Sequence, residues 1–151
     1  MKRFGAVCLC LFLLCPVHAK EDAAEPTQAQ LEERFQKLLT NAELTGSFSI
    51  VGKDKAPTKE KYEIVKTSKL DDTHWLFVAK WGKADVAIPL RLQVKWAGDT
   101  PIITLTDFTI PGIGTFTARV LFYGDRYAGT WQHDDVGGHL WGEIRPKSDA
   151  K

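Results

Sequence analysis

From Gly46 to Arg145 the chain places bulky apolar residues at every second position, the signature of strands with one dry and one wet face. Phe48 and Ile50 alternate with Ser47 and Ser49, and Tyr62 and Ile64 with Lys61 and Glu63. Trp75, Phe77, Ala79 and Trp81 share one face of the next segment. Val86, Ile88, Leu90, Leu92, Val94 and Trp96 form the longest alternation, set against Ala87, Pro89, Arg91, Gln93 and Lys95. Pro89 has no N–H to give to a ladder, so it predicts an edge or a bulge at that point. Ile102 to Thr109 reads as another strand with poorer alternation, ended by a Pro111-Gly112 turn.

Ahead of the strands the period is helical. Thr27-Gln28-Ala29-Gln30 fits a capping box, with Thr27 as N-cap and Gln30 reaching back. Leu31, Phe35, Leu38, Leu39 and Ala42 then recur at spacings of four and three, which draws an apolar stripe. Gly46 offers a stop, so the pattern predicts one helix over residues 27–44 with its stripe against the sheet that follows.

The last third fixes its own pairing. Gly124-Asp125 suits a two-residue type II′ turn, which puts Tyr123 opposite Arg126, Phe122 opposite Tyr127, Val120 opposite Gly129 and Ala118 opposite Trp131. A second hairpin through residues 134–138 is expected to set His133 opposite His139, Trp131 opposite Trp141, Gly129 opposite Glu143 and Tyr127 opposite Arg145. In that register Phe116, Ala118, Val120, Phe122, Tyr127, Trp131 and Trp141 share one side, and a one-residue slip would destroy the agreement. Lys80-Trp81-Gly82-Lys83-Ala84-Asp85 and Lys95-Trp96-Ala97-Gly98-Asp99-Thr100 echo one another as similar strand-end turns.

These elements predict a mainly β fold: one N-terminal helix, then an antiparallel meander of about eight strands closing into a barrel, since closure removes exposed edges. A strongly curled open sheet over the helix is the alternative. The interior of such a barrel is just wide enough to be packed or to hold one small ligand.

The chain start changes the picture of location. Lys2 and Arg3 precede an apolar run from Gly5 to Cys15, Pro16 breaks it, and Val17-His18-Ala19 offers small residues for a signal peptidase. Residues 1–19 are therefore expected to be a signal peptide, 20–26 a flexible lead-in, 27–146 a single domain and 147–151 a tail, exported to the periplasm or the medium. The apolar run is too short for a stable membrane anchor, and Leu14 is too large for a lipoprotein signal at Cys15. No transmembrane segment is expected in the mature chain. All three cysteines (Cys8, Cys10 and Cys15) fall in the discarded segment, which removes intrachain disulfides, thiolate zinc sites and cysteine nucleophiles. The 20 basic and 19 acidic residues are interspersed, with no basic stripe to follow a nucleic-acid backbone. Oligomeric state leaves no mark on the sequence.

Candidate chemistry is thin. No nucleophile elbow, P-loop or dinucleotide fingerprint occurs, so no catalytic residue and no cofactor is implied, and Gly112-Ile113-Gly114 reads as turn chemistry. His133 and His139, if cross-strand neighbours, lie close enough to share a metal ion with Asp134 or Asp135; otherwise they simply flank a loop. Glu143 and Arg145 either grip a polar group inside the barrel or reach water at a strand end. Asp71, Asp72 and His74 read as a solvated turn. Trp75, Tyr127, Trp131 and Trp141 serve either as core or as the wall of a ligand site for a small apolar or aromatic molecule.

The run Leu105-Thr106-Asp107-Phe108-Thr109-Ile110-Pro111-Gly112, followed by Gly114 to Trp131, resembles a family of small exported bacterial proteins of unknown function, with weaker likeness over Gly46 to Arg145. The strand plan also resembles the calycins, meaning lipocalins and fatty-acid-binding proteins, although Gly46-Ser47-Phe48 stands where lipocalins carry Gly-X-Trp. The first resemblance implies no activity, and the second implies a shared barrel architecture. The expectation is a non-catalytic binding module for a small apolar or aromatic ligand. A packed-core domain contacting a cell-envelope partner is the alternative, and a metal-dependent enzyme comes third.

Overall fold

A computed structural model describes residues 24–81 and 86–147. One helix, α1 (Gln28–Leu39), precedes eight strands: β1 (Ala42–Phe48), β2 (Thr58–Lys69), β3 (His74–Trp81), β4 (Ile88–Ala97), β5 (Thr100–Ile110), β6 (Gly114–Tyr123), β7 (Arg126–His133) and β8 (Val136–Pro146). Each strand pairs antiparallel with the next, and β8 returns to β1 from Ala42↔Pro146 to Phe48↔Leu140, closing a barrel. The meander is therefore closed and is not an open curled sheet. This architecture is compatible with a lipocalin-like fold. The expected signal segment, the start of the lead-in, most of the turn that echoes residues 95–100, and residues 148–151 lie outside the described residues.

The capping box forms as its sequence predicts: Gln30 N–H donates to the Thr27 hydroxyl, and Thr27 N–H donates to Gln30 Oε1 at 2.8 Å. The helix ends earlier than residue 44. Asn41 adopts a left-handed conformation with φ 55°, and the chain reverses there into β1. Asn tolerates that region better than most residues. Ala42 closes the helical stripe in sequence but opens an alternating set, and the structure uses it in the second way. Ala42, Leu44, Gly46 and Phe48 face inward, so Gly46 sits in mid-strand and is no helix stop.

The helix stoppers the barrel. Phe35 is only 2% exposed, and its ring meets Trp75, Trp96 and Phe122 edge to face at centroid distances of 5.4, 6.0 and 5.5 Å. Edge-to-face contact suits the ring quadrupole, and burying a side chain of this size contributes roughly 2–3 kcal/mol. Leu39 is buried beside it. The strand ends around this plug hold much of the dry core, including Ala42, Val94, Phe122 and Ile144.

Two irregularities explain where the alternation weakens. β2 shifts register between Ile64 and Lys66, which leaves Val65 exposed while Thr67 returns inward. β5 shifts between Leu105 and Phe108, with Asp107 at φ 50°, and this bulge is the poorer alternation seen in the sequence. β4 pairs with β5 only over Gln93–Ala97. The half of β4 holding Pro89 pairs with β3 alone, opposite Val78, as its missing N–H demands.

Candidate binding cavity

The first hairpin of the tail has the register expected from Gly124-Asp125: Tyr123↔Arg126, Phe122↔Tyr127, Val120↔Gly129 and Ala118↔Trp131, with Gly124 at φ 59°. The second hairpin does not. It turns tightly at Asp134-Asp135, so that His133 pairs with Val136 and not with His139. Asp134 is held at φ 51° by two hydrogen bonds to Thr115: its N–H donates to the Thr115 carbonyl at 2.9 Å, and its Oδ1 accepts from Thr115 N–H at 3.1 Å. Gly137 and Gly138, read as loop residues in the sequence, are strand residues. Gly138 lies opposite Trp131 and Gly142 opposite Tyr127; a β-carbon at Gly142 would meet the Tyr127 ring, and one at Gly138 the Ser49 backbone.

A displacement by an odd number of residues exchanges the two faces of β8. Tyr127 and Trp131 point into the barrel, whereas Trp141 stands on the outer wall, 41% exposed, in a row with Leu121 and Ala128. It does not line the interior. Glu143 and Arg145 are also outside, joined by a 2.6 Å contact from Arg145 Nη2 to Glu143 Oε2, so they reach water. Trp75, 1% exposed, packs on Phe35 in the floor beneath the cavity.

The histidines separate as well. His139 faces outward opposite Thr130. His133 lies on the inner side at the end away from the helix, stacked on Phe116 at 4.3 Å, with Nε2 2.8 Å from the Ile113 carbonyl. A shared ion between the two imidazoles is thus ruled out by the register. Among the described residues no cluster of three or more His, Asp or Glu side chains forms a metal site. Gly114, at φ 130°, gives the His133 ring room to approach. Asp71 makes the solvated turn expected of it: Oδ1 accepts from the N–H groups of Thr73 and His74 at 2.9 and 2.8 Å, and Oδ2 meets Arg91 at 2.9 Å. These backbone donors, with the Arg91 guanidinium, hold its carboxyl well below the usual range.

Above the plugged end the barrel interior holds an open-mouthed cavity of about 380 Å3, walled by Phe77, Leu90, Leu105, Phe116, Val120 and Trp131 among others. Its wall is almost wholly apolar. A larger concavity of about 720 Å3 lies on the outer wall beside Tyr123, Arg126 and Trp141. The Trp131 indole N–H is enclosed and has no acceptor among the described residues.

One polar cluster meets this apolar wall. Glu60, Tyr62 and Ile64 share the inner face of β2 ahead of its bulge. The Tyr62 hydroxyl donates to Glu60 Oε2 at 2.6 Å, and the Tyr127 hydroxyl approaches Oε1 at 3.4 Å. Tyr127 reaches that far because the ladder row from β7 to β2 runs Tyr127, Gly142, Gly46, Glu60. A β-carbon at Gly46 would fall 2.5 Å from the Tyr127 hydroxyl, and one at Gly142 2.7 Å from its ring. Burial pushes the Glu60 carboxyl above its ordinary range, and the two phenols oppose that shift without cancelling it. Burial, together with the neighbouring carboxylate, pushes both phenols up, so both remain donors at any working pH.

Sequence reasoning singled out Tyr127 and Trp131 but passed over Glu60. The signal was present: in Glu60-Lys61-Tyr62-Glu63-Ile64 the first glutamate falls on the dry side and the second on the wet side. No family model matches the chain, and neither the curated proteins nor the solved structures contain a match to it.

Proposed function

We propose that this chain is an exported, non-catalytic binding module that holds one small apolar or aromatic molecule inside its barrel. The observation that carries this reading is the interior cavity of about 380 Å3. Ligand sites commonly occupy about 300–1,000 Å3 and combine apolar walls with a few polar groups. The calycin-like strand plan fits the same use, and the basic start and short apolar run of residues 1–19 support export.

Titration with lipids, haem and sugars, followed by tryptophan emission and native mass spectrometry, tests the reading. A saturable one-to-one complex is expected with an apolar or aromatic compound, and Ala118→Phe, which fills space beside Trp131, abolishes it. Failure of every compound to bind, in a chain that melts cooperatively, would remove the proposal.

A second reading has its own observation. Leu121, Tyr123 and Trp141 are exposed on one outer wall, and such a patch suits contact with a cell-envelope partner. Recovery of the same protein from envelope extract by wild type, and its loss with Trp141→Asp, would favour that reading.

A further inference from the structure

Glu60 is a carboxylate on the inner face of an apolar barrel, and its partners among the described residues do not require it to be charged. Its partners among the described residues are the phenols of Tyr62 and Tyr127, and both of those rings line the cavity. A glutamine in its place would accept from one hydroxyl through its oxygen and donate to the other through its amide. The carboxylate nevertheless stands one inward position nearer the open end than Tyr62, on the side away from the helical plug. The neighbours Lys59 and Lys61 take the opposite face of the strand, and Lys61 is occupied with Glu43 at 2.5 Å.

A carboxylate offers about four lone-pair sites, and two phenols use two of them. The remaining acceptor capacity lies beside Tyr62 and Tyr127, at the edge of the residues that wall the cavity. A half-buried anion without a cationic partner among the described residues is costly, and burial is the main influence on this one. Both phenols act as donors toward Glu60, so they also hold it in a fixed orientation.

From this geometry we infer that the ligand is an amphipathic amine, whose ammonium group pairs with Glu60 while its apolar body fills the cavity against Phe116, Val120 and Trp131. This deepens the binding-module reading and rests on it. The source of selectivity is charge: an ammonium donates to the free lone pairs and relieves the buried anion, a hydroxyl donates only weakly, and a carboxylate is repelled.

Decylamine, decanol and decanoic acid, matched in chain length, separate the possibilities when titrated into the full chain by native mass spectrometry and tryptophan emission. The amine is expected to bind about tenfold or more tighter than the alcohol, with the acid weakest. Glu60→Gln, checked to melt cooperatively, is expected to bring the amine to the level of the alcohol while changing the alcohol far less. Decanoic acid binding as well as decylamine to wild type would overturn the inference while leaving the cavity reading intact. An amine preference that persists in Glu60→Gln would overturn it equally. Binding of none of the three would remove both readings together.

Discussion

The hydroxyl of Tyr127 comes within 3.4 Å of Glu60 Oε1 although two whole strands separate them in the sheet. The span is possible because both residues between them in the ladder row are glycines, Gly142 and Gly46. The phenol lies across bare backbone, where any side chain would displace it. A tyrosine on β7, two glycines and a glutamate on β2 thus act as one unit, and that unit supplies the polar corner of an otherwise apolar chamber.

Gly46→Ala and Gly142→Ala should each destabilise the protein by about 1–3 kcal/mol, the usual cost of forcing atoms into a packed interior. Urea unfolding measures the loss. A value near zero for both would mean that the Tyr127 ring does not rest on this glycine pair.

Stability should depend on pH through Glu60. Its folded pKa lies above its unfolded one. Such a group contributes fully below the unfolded value, and that contribution is lost as pH rises through the folded value. Glu60→Gln removes the loss, so the variant should melt higher than wild type at neutral pH and about equal to it near pH 4. Thermal unfolding across this window gives the answer; an offset that stays constant with pH would contradict the assignment.

Phe35→Ala should cost about 3–5 kcal/mol, the range for emptying an aromatic core site. Phe35 is the part of the helix that touches rings from β3, β4 and β6. Chemical denaturation of the full chain reads the effect, and a cost below about 1 kcal/mol would show that the helix does not form the floor.

The register of the second hairpin makes an optical prediction. Trp141 is on the outer wall and Trp131 faces inward. Trp141→Phe should therefore remove more acrylamide-quenchable emission than Trp131→Phe. Added apolar ligand should perturb the emission of Trp141→Phe but much less that of Trp131→Phe. Equal, low quenching of the two residues would restore the pairing of Trp131 with Trp141.

The sequence made legible whatever local chemistry decides. Thr27 and Gln30 announce the helix start, Gly124-Asp125 sets one hairpin, and Pro89 marks the half-strand paired on a single side. It misled where a residue's role belongs to a distant neighbour. Gly137-Gly138 looks like a loop because glycine usually bends a chain, yet Gly138 lies in a strand where a β-carbon would strike the Ser49 backbone. Gly46 looks like a helix stop for the same reason, and its purpose is set by a tyrosine far along the chain. Glu60 was overlooked because a charge near a strand start reads as solvated until the two phenols that enclose it are placed.

The helical stopper built around Phe35 turns the barrel from a tube into a cup. With the helix seated at one end, the cavity opens toward the other, and filling and emptying are expected to share that rim. How long a guest stays is then governed at the end where His133 stacks on Phe116 and where β4 lacks its second neighbour, far from the base that gives the fold its strength.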